Sequence, residues 1–233
     1  MEKSYLIAGA GSEMARATVK KLRGKETSFT LLSRNKPIYA EAKDNYIPFD
    51  ATNTGLSISD LPDTLNGMAY FPGTINLKPF RGLSEGDFRQ DWEINFLGAV
   101  RILKLALKAL KKGKPSSVLL FSTVAVQTGM PFHSSISAAK GAVEGFCRAM
   151  AAELSPDVRV NAIAPSLTDT ALAKKFLATD QKKEASANRH PLKKYGTADD
   201  IAGIASSLLG EDGAWITGQI FHIDGGLSSL RQL

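Results

Sequence analysis

Two hydroxyls and a lysine carry the chemistry for which this sequence can be read. Ser122 and Thr123 close a short apolar run, Val118-Leu119-Leu120-Phe121, which has the length and composition of a buried strand. Lys140 follows near the start of a pattern in which Val143, Phe146, Met150 and Leu154 recur at helical spacing from Ser137 onward, one turn past Ile136 on the same face. A strand that ends in hydrogen-bond donors is thus joined, through the loop Gly129-Met130-Pro131, to a helix that begins with a cation. In an open α/β sheet, the space outside the carboxyl ends of the strands is where ligands bind. His133, three residues before Ile136, adds an imidazole, a side chain that titrates near neutrality; the plainer reading is a surface or hydrogen-bonded loop histidine.

A second group of residues stands at the amino terminus. The apolar run Ser4 to Ala8 is followed by Gly9-Ala10-Gly11-Ser12 and then a helical pattern from Glu13 to Leu22 that stops at Gly24. Glycines let backbone approach a pyrophosphate, and the first-turn N–H groups and dipole of the helix hold its charge; a plain tight turn is the alternative. Met14 sits at the third position of the strict Gly-x-Gly-x-x-Gly pattern, while Gly9, Gly11 and Ala15 fit a looser version. Glu13 suits the helix dipole but repels a pyrophosphate unless it points away. The next strand, Phe29 to Leu32, ends in Ser33-Arg34-Asn35-Lys36, where an NAD site places an acid about 20 residues past the glycines. Two cations and no acid favour NADP over NAD, with Arg34 as the partner of the 2′-phosphate; the alternative is a solvated turn.

The remaining elements must position these residues. Strands are predicted at Tyr46 to Phe49, at Met68 to Phe71, from Val158, and through Ile223. Helices are predicted from a Ser84/Asp87 cap to about Lys112, from Ser137 to Leu154, and from Thr197 to Leu209. Such alternation demands a mostly parallel sheet covered on both faces: an α/β, Rossmann-type doubly wound fold of about seven strands, one domain over residues 1–233.

Composition narrows the function classes. A chain of 233 residues, 43% hydrophobic and 22% charged, suits one soluble domain. The net charge is +6, yet the lysines are not interleaved with aromatics, and Lys104, Lys108, Lys111, Lys112 and Lys114 gather where a helix terminus favours cations. No nucleic-acid partner is expected. No apolar run reaches the ~18 residues of a membrane span, so a cytoplasmic protein without membrane association is expected. The single cysteine, Cys147, reads as a small core residue, and no metal ligand set is assigned.

These residues also resemble a family. Ser122-Thr123, a step of thirteen from Thr123 to position 136, and Lys140-Gly141-Ala142-Val143-Glu144-Gly145-Phe146 resemble the active-site segment of the short-chain dehydrogenase/reductases, a serine followed by Tyr-x-x-x-Lys. Ile136 holds the tyrosine position. Asn95-Phe96-Leu97-Gly98 stands where the family has Asn-x-x-Gly, Arg159-Val160-Asn161 with Pro165 matches another segment, and Ile216-Thr217-Gly218-Gln219 with Asp224-Gly225-Gly226 matches the carboxyl-terminal pattern. Ser166 replaces a family glycine, Glu13 and Ala15 replace two more, and of Asn-Asn-Ala-Gly only Gly73 is kept.

The resemblance covers the whole chain and implies strand order 3-2-1-4-5-6-7. It implies a cofactor site of Gly9, Gly11, Ser12, Met14, Arg34, Asp50, Ala51, Gly73, Lys140, Pro165, Thr168 and Thr170. In it Asp50 faces the adenine and the two threonines lie on the nicotinamide side; a turn-initiating Asp50 is nearly as good a reading. The implied catalytic set is Thr123, or Ser122 beside it, to polarise a carbonyl, Lys140 to hold the nicotinamide ribose, and Asn95 behind the lysine. His133 is the candidate substitute for the missing phenol. The implied activity is hydride transfer between NADP(H) and a small carbonyl or alcohol with an atypical proton relay; the alternative is a dinucleotide-binding sensor or scaffold without redox chemistry. Residues near 168–192 form the substrate lid. The small residues Gly141, Gly145, Ala149 and Ala152 imply a homodimer or homotetramer, unless an intrachain contact explains them.

Overall fold

In the computed structural model of the chain, which describes residues 2–52 and 55–231, strands and helices alternate along the sequence. In order they are β1 (Lys3–Ala8), α1 (Glu13–Leu22), β2 (Thr27–Ser33), β3 (Asn45–Pro48), β4 (Gly67–Tyr70), α2 (Glu85–Trp92), α3 (Gly98–Lys112), β5 (Ser116–Phe121), α4 (Ala125–Thr128), α5 (Ser134–Leu154), β6 (Val158–Pro165), β7 (Thr168–Asp169), α6 (Asp180–Arg189), β8 (Gly196–Thr197), α7 (Ala198–Leu209) and β9 (Ile220–Ile223). Seven strands form one sheet in the order β3-β2-β1-β4-β5-β6-β9, every pair parallel, as the alternation requires; β7 and β8 pair separately. The carboxyl-terminal member of the large sheet is β9, so the order corresponds to the expected 3-2-1-4-5-6-7.

The period of two in the strands decides which helix each residue meets. Leu6, Met68, Val118, Leu120 and Val160 face one way and pack with Ile102, Leu110, Val143 and Leu154 of α3 and α5. Their chain neighbours Ile7, Ala69, Leu119 and Phe121 face the other way and pack with Val19 of α1 and with Ile201, Ala205 and Leu208 of α7. Both faces of the sheet are therefore dry, which is why the central strands read as continuous apolar runs rather than as alternating ones.

The predicted helix from Ser84 to Lys112 is interrupted. Ser84 and Asp87 form the reciprocal cap at its start, α2 ends at Trp92, and one wider π turn, Glu93–Leu97, precedes α3. Such single wide turns gather at functional sites. The local cause is Tyr70, whose hydroxyl donates to the Ile94 carbonyl at 2.7 Å and lies where a side chain on Gly98 would be, 2.0 Å from its Cβ. Helix α5 begins three residues earlier than Ser137, because the His133 carbonyl already accepts from Ser137 N at 2.8 Å. Strand order reverses between β1 and β4, and the carboxyl ends on either side of that point open a crevice.

Candidate functional site

The crevice is a cleft of about 740 Å³ along the carboxyl ends of β1, β2 and β4, extending to the segment after β7. At its floor Gly9 has φ +77°, a conformation costly for any residue with a Cβ, and a Cβ there would lie 2.8 Å from Pro72 Cδ. Gly11 and Met14 line the cleft beside it. Ser12 lines it too, but its hydroxyl accepts from Ala15 N at 3.2 Å and so caps α1. Tyr39 was not singled out from the sequence; its hydroxyl donates to the Ala10 carbonyl at 2.6 Å, pinning the glycine turn, and burial pushes its phenol upward. A tyrosine 29 residues from its partner gives no local pattern to find it by.

Glu13 turns toward the segment after β7, where its carboxylate accepts from Ala171 N at 3.0 Å. Arg34, Asn35 and Lys36 are exposed and line the far end of the cleft, with Asp50 and Ala51 on the wall opposite. Asp50 closes its own turn: its Oδ1 accepts from both the N–H and the hydroxyl of Thr52, at 2.9 and 2.7 Å, bonds that hold the carboxyl below its ordinary range.

At the inner end the helices bring a polar cluster to the end of β5. Lys140 is 7% exposed and donates to the Phe121 carbonyl at 2.8 Å. Burial pulls its ammonium down from 10.5 to about 8, partly offset by the Asp91 carboxylate. Gly73, on the cleft wall, is the point of approach: a Cβ there would lie 3.6 Å from Lys140 Nζ and 3.2 Å from Asn95 Oδ1. Asn95 is fully engaged, accepting from Thr74 N at 3.2 Å and donating to Thr74 Oγ1 at 2.7 Å and to the Asp91 carbonyl at 2.8 Å. Thr74 passes its own proton side to Asp91 Oδ1 at 2.6 Å. Neither Thr74 nor Asp91 was found from the sequence, although Asp91, four residues before Asn95 in one helical pattern, falls on the same face.

The two hydroxyls at the end of β5 part company. Ser122 is buried and donates to Glu144 Oε1 at 2.7 Å, one turn beyond Lys140 on α5, while Arg148 approaches the other oxygen at 3.5 Å. Thr123 is half-buried, and among the described residues its hydroxyl accepts only a long contact, 3.4 Å, from Ala125 N and donates to none. Ile136 is buried and offers no donor. His133 is half-buried, its Nδ1 set 2.7 Å from the Pro131 carbonyl, and among the described residues no hydrogen bond joins it to Lys140 or Thr123.

Beyond β6 the chain runs through β7, a short 3-10 turn at Ala171–Phe176 and α6. Pro165 ends the strand, its carbonyl accepting from Val124 N at 3.3 Å. Thr168 is buried in β7, with its hydroxyl on the Ser166 carbonyl at 3.0 Å, whereas Thr170 lines the cleft. Ser166 meets His190 Nε2 at 2.8 Å while His190 Nδ1 sits 2.7 Å from the Ser186 carbonyl, which fastens the end of α6 back to the strand.

Residues 57–228 match the family profile described as enoyl-(acyl carrier protein) reductase. The chain belongs to the short-chain dehydrogenase/reductase family. It is 29% identical over 189 residues to 2-(S)-hydroxypropyl-CoM dehydrogenase 3 of Xanthobacter autotrophicus, covering 77% of this chain and 74% of that one. It is 26% identical to elsinochrome reductase 1 of Elsinoe fawcettii, covering 96% and 93%. A shorter match, 33% identical, takes in 65% of this chain and about half, 52%, of a peroxisomal 2,4-dienoyl-CoA reductase of Saccharomyces cerevisiae. Among solved structures, a ligand-free aldohexose dehydrogenase of Thermoplasma acidophilum superposes with TM-score 0.90 at 23% identity, covering 100% of this chain and 96% of that one. A gluconate 5-dehydrogenase of Burkholderia cenocepacia, in complex with NADP and tartrate, superposes with TM-score 0.89 at 17% identity, covering 99% and 97%. The protein is thus a short-chain dehydrogenase/reductase-type oxidoreductase with a dinucleotide-binding fold. Among the described residues, no helix of this family member is long and apolar enough to cross a membrane.

Proposed function

We propose that the protein transfers hydride between NADP(H) and a small carbonyl or alcohol, with Thr123 and Lys140 sharing the work that the family gives to a tyrosine. The observation that carries this reading is the continuity of one cleft from the glycine turn and the cations after β2 to Gly73, against which Lys140 lies. Its volume of about 740 Å³ is within the range of cofactor sites. The residues fit the group: Gly9 leaves no room for a side chain over the turn, the first-turn N–H groups of α1 lack intrahelical acceptors, and Arg34 and Lys36 supply positive charge with no acid in the turn itself.

When bound, the nicotinamide supplies or accepts the hydride. Thr123 donates a hydrogen bond to the substrate oxygen, where negative charge grows during reduction. Lys140 keeps two N–H groups beyond the one spent on Phe121, for a ribose hydroxyl and for the nascent alkoxide. A buried ammonium near 8 is protonated at neutral pH yet releases its proton readily, which suits a general acid. The half-buried and exposed small residues Gly141, Gly145, Ala149 and Ala152 support self-association, since a Cβ on Gly145 would meet nothing within 4 Å in this chain.

Calorimetric titration with NADPH and NADH tests the reading. NADPH binds the more tightly, and Arg34→Glu weakens NADPH at least about tenfold while leaving NADH nearly unchanged. Equal affinities, or no heat with either cofactor, overturn it.

A further inference from the structure

Asp91 is a carboxylate in an unusual place. It lies on α2, 1% exposed, where α2 packs on α5, and its Oδ2 is buried with no hydrogen-bond partner among the described residues. Such an oxygen is costly unless a positive charge stands near enough to compensate for lost hydration. Its Oδ1 accepts from Thr74 Oγ1, Thr74 is bonded to Asn95, and Asn95 Oδ1 and Lys140 Nζ converge on Gly73. A hydrogen-bonded line therefore runs from the buried carboxylate to the cleft wall at which the lysine arrives.

Lys140 has the complementary problem. It too is buried, 7% exposed, and its one protein partner among the described residues is a neutral carbonyl. Among the described residues the charge that acts on it is the Asp91 carboxylate from α2, while Glu144, one turn further along its own helix, is engaged by Ser122 and Arg148. The strand offers only the Phe121 carbonyl, and the segment after β4 offers the neutral Thr74.

We propose that Asp91 is a positioning residue, the buried counter-charge that keeps Lys140 an ammonium ion, with Thr74 and Asn95 fixing the carboxylate in place. The inference deepens the reading of Lys140 as the ammonium of the cofactor site and rests on it. In this arrangement a carboxylate on α2 acts on a lysine of α5 across the contact of the two helices, so that a lysine in a dry site still carries a proton at neutral pH.

The test is an NMR titration of cofactor-free protein labelled at lysine Cε, with the Lys140 signal assigned by its loss in Lys140→Met. The wild-type midpoint is expected near 8. In Asp91→Asn, and equally in Asp91→Leu, which offers no polar atom, the midpoint falls by about one to three pH units. A midpoint unchanged in either folded variant overturns the proposal, and so does a wild-type midpoint below neutrality, which needs no variant. Because no cofactor is present, the titration stands apart from calorimetry with NADPH, whose failure would strike the functional reading instead.

Discussion

Replacing Lys140 by methionine should make the protein more stable at neutral pH while removing its function. The side chain is buried, and its ammonium is pulled from 10.5 to about 8, chiefly by loss of water. Below about pH 8 the lysine is charged in both the folded and the unfolded chain, and the folded state bears the whole cost of burying the charge. Between about 8 and 10.5 the folded chain has shed the proton while the unfolded chain still holds it, so wild-type stability rises with pH through that window. A drop from 10.5 to about 8 corresponds to on the order of 3 kcal/mol. Against this, methionine leaves the Phe121 carbonyl without its donor, which costs about 1 kcal/mol at every pH. The variant should therefore be about 2 kcal/mol more stable than wild type at pH 7 and near parity by about pH 10. Urea unfolding of both proteins at a series of pH values measures the difference. A difference that does not change with pH, or a variant less stable at pH 7 than at pH 10 relative to wild type, refutes the burial argument. Calorimetry on the same samples should show NADPH binding weakened in the folded variant.

Three further outcomes are expected. Ile136→Tyr should raise reductase activity by about 10²-fold or more, at a cost of about 1–3 kcal/mol in stability for overfilling a buried position, and His133→Ala should leave wild-type activity unchanged; loss of turnover in His133→Ala would instead make the imidazole the proton donor. Gly9→Ala should lower stability by at least about 2 kcal/mol in chemical denaturation, because its backbone is left-handed and the new methyl would meet Pro72; a change below the error of the measurement would show that the turn relaxes. Glu13→Gln keeps an acceptor for Ala171 N but removes the negative charge at the cleft, so NADPH should bind about two- to fivefold tighter at low salt, and an unchanged affinity would place the carboxylate outside the phosphate's field.

Most of the fold was legible in the sequence because burial on both sides leaves a local trace. The runs at Leu6, Leu31, Leu119 and Ile163 had to be interior strands, and with helices between them only a parallel, doubly covered sheet would bury them all. The glycine turn, the Ser84 and Thr197 caps and the cations after β2 were equally local, each a matter of a few adjacent residues. Lys140 and Thr123 could be set at one strand end from spacing alone.

What the chain could not say about itself is how side chains distant in sequence share their hydrogen bonds. Ser122 and Thr123 are equivalent hydroxyls on paper, and only the packing of α5 on β5 gives Ser122 to Glu144 and leaves Thr123 with a single long contact from Ala125 N among the described residues. The interruption of the long helix at Glu93–Leu97 answers to Tyr70, which arrives from a strand 24 residues away, and the partnership of Thr74 with Asp91 spans 17 residues and two elements. Periodicity reports the face on which a residue lies, since that is set by its own backbone. The identity of the atom opposite is set by where another element lands, and the tertiary structure alone decides that.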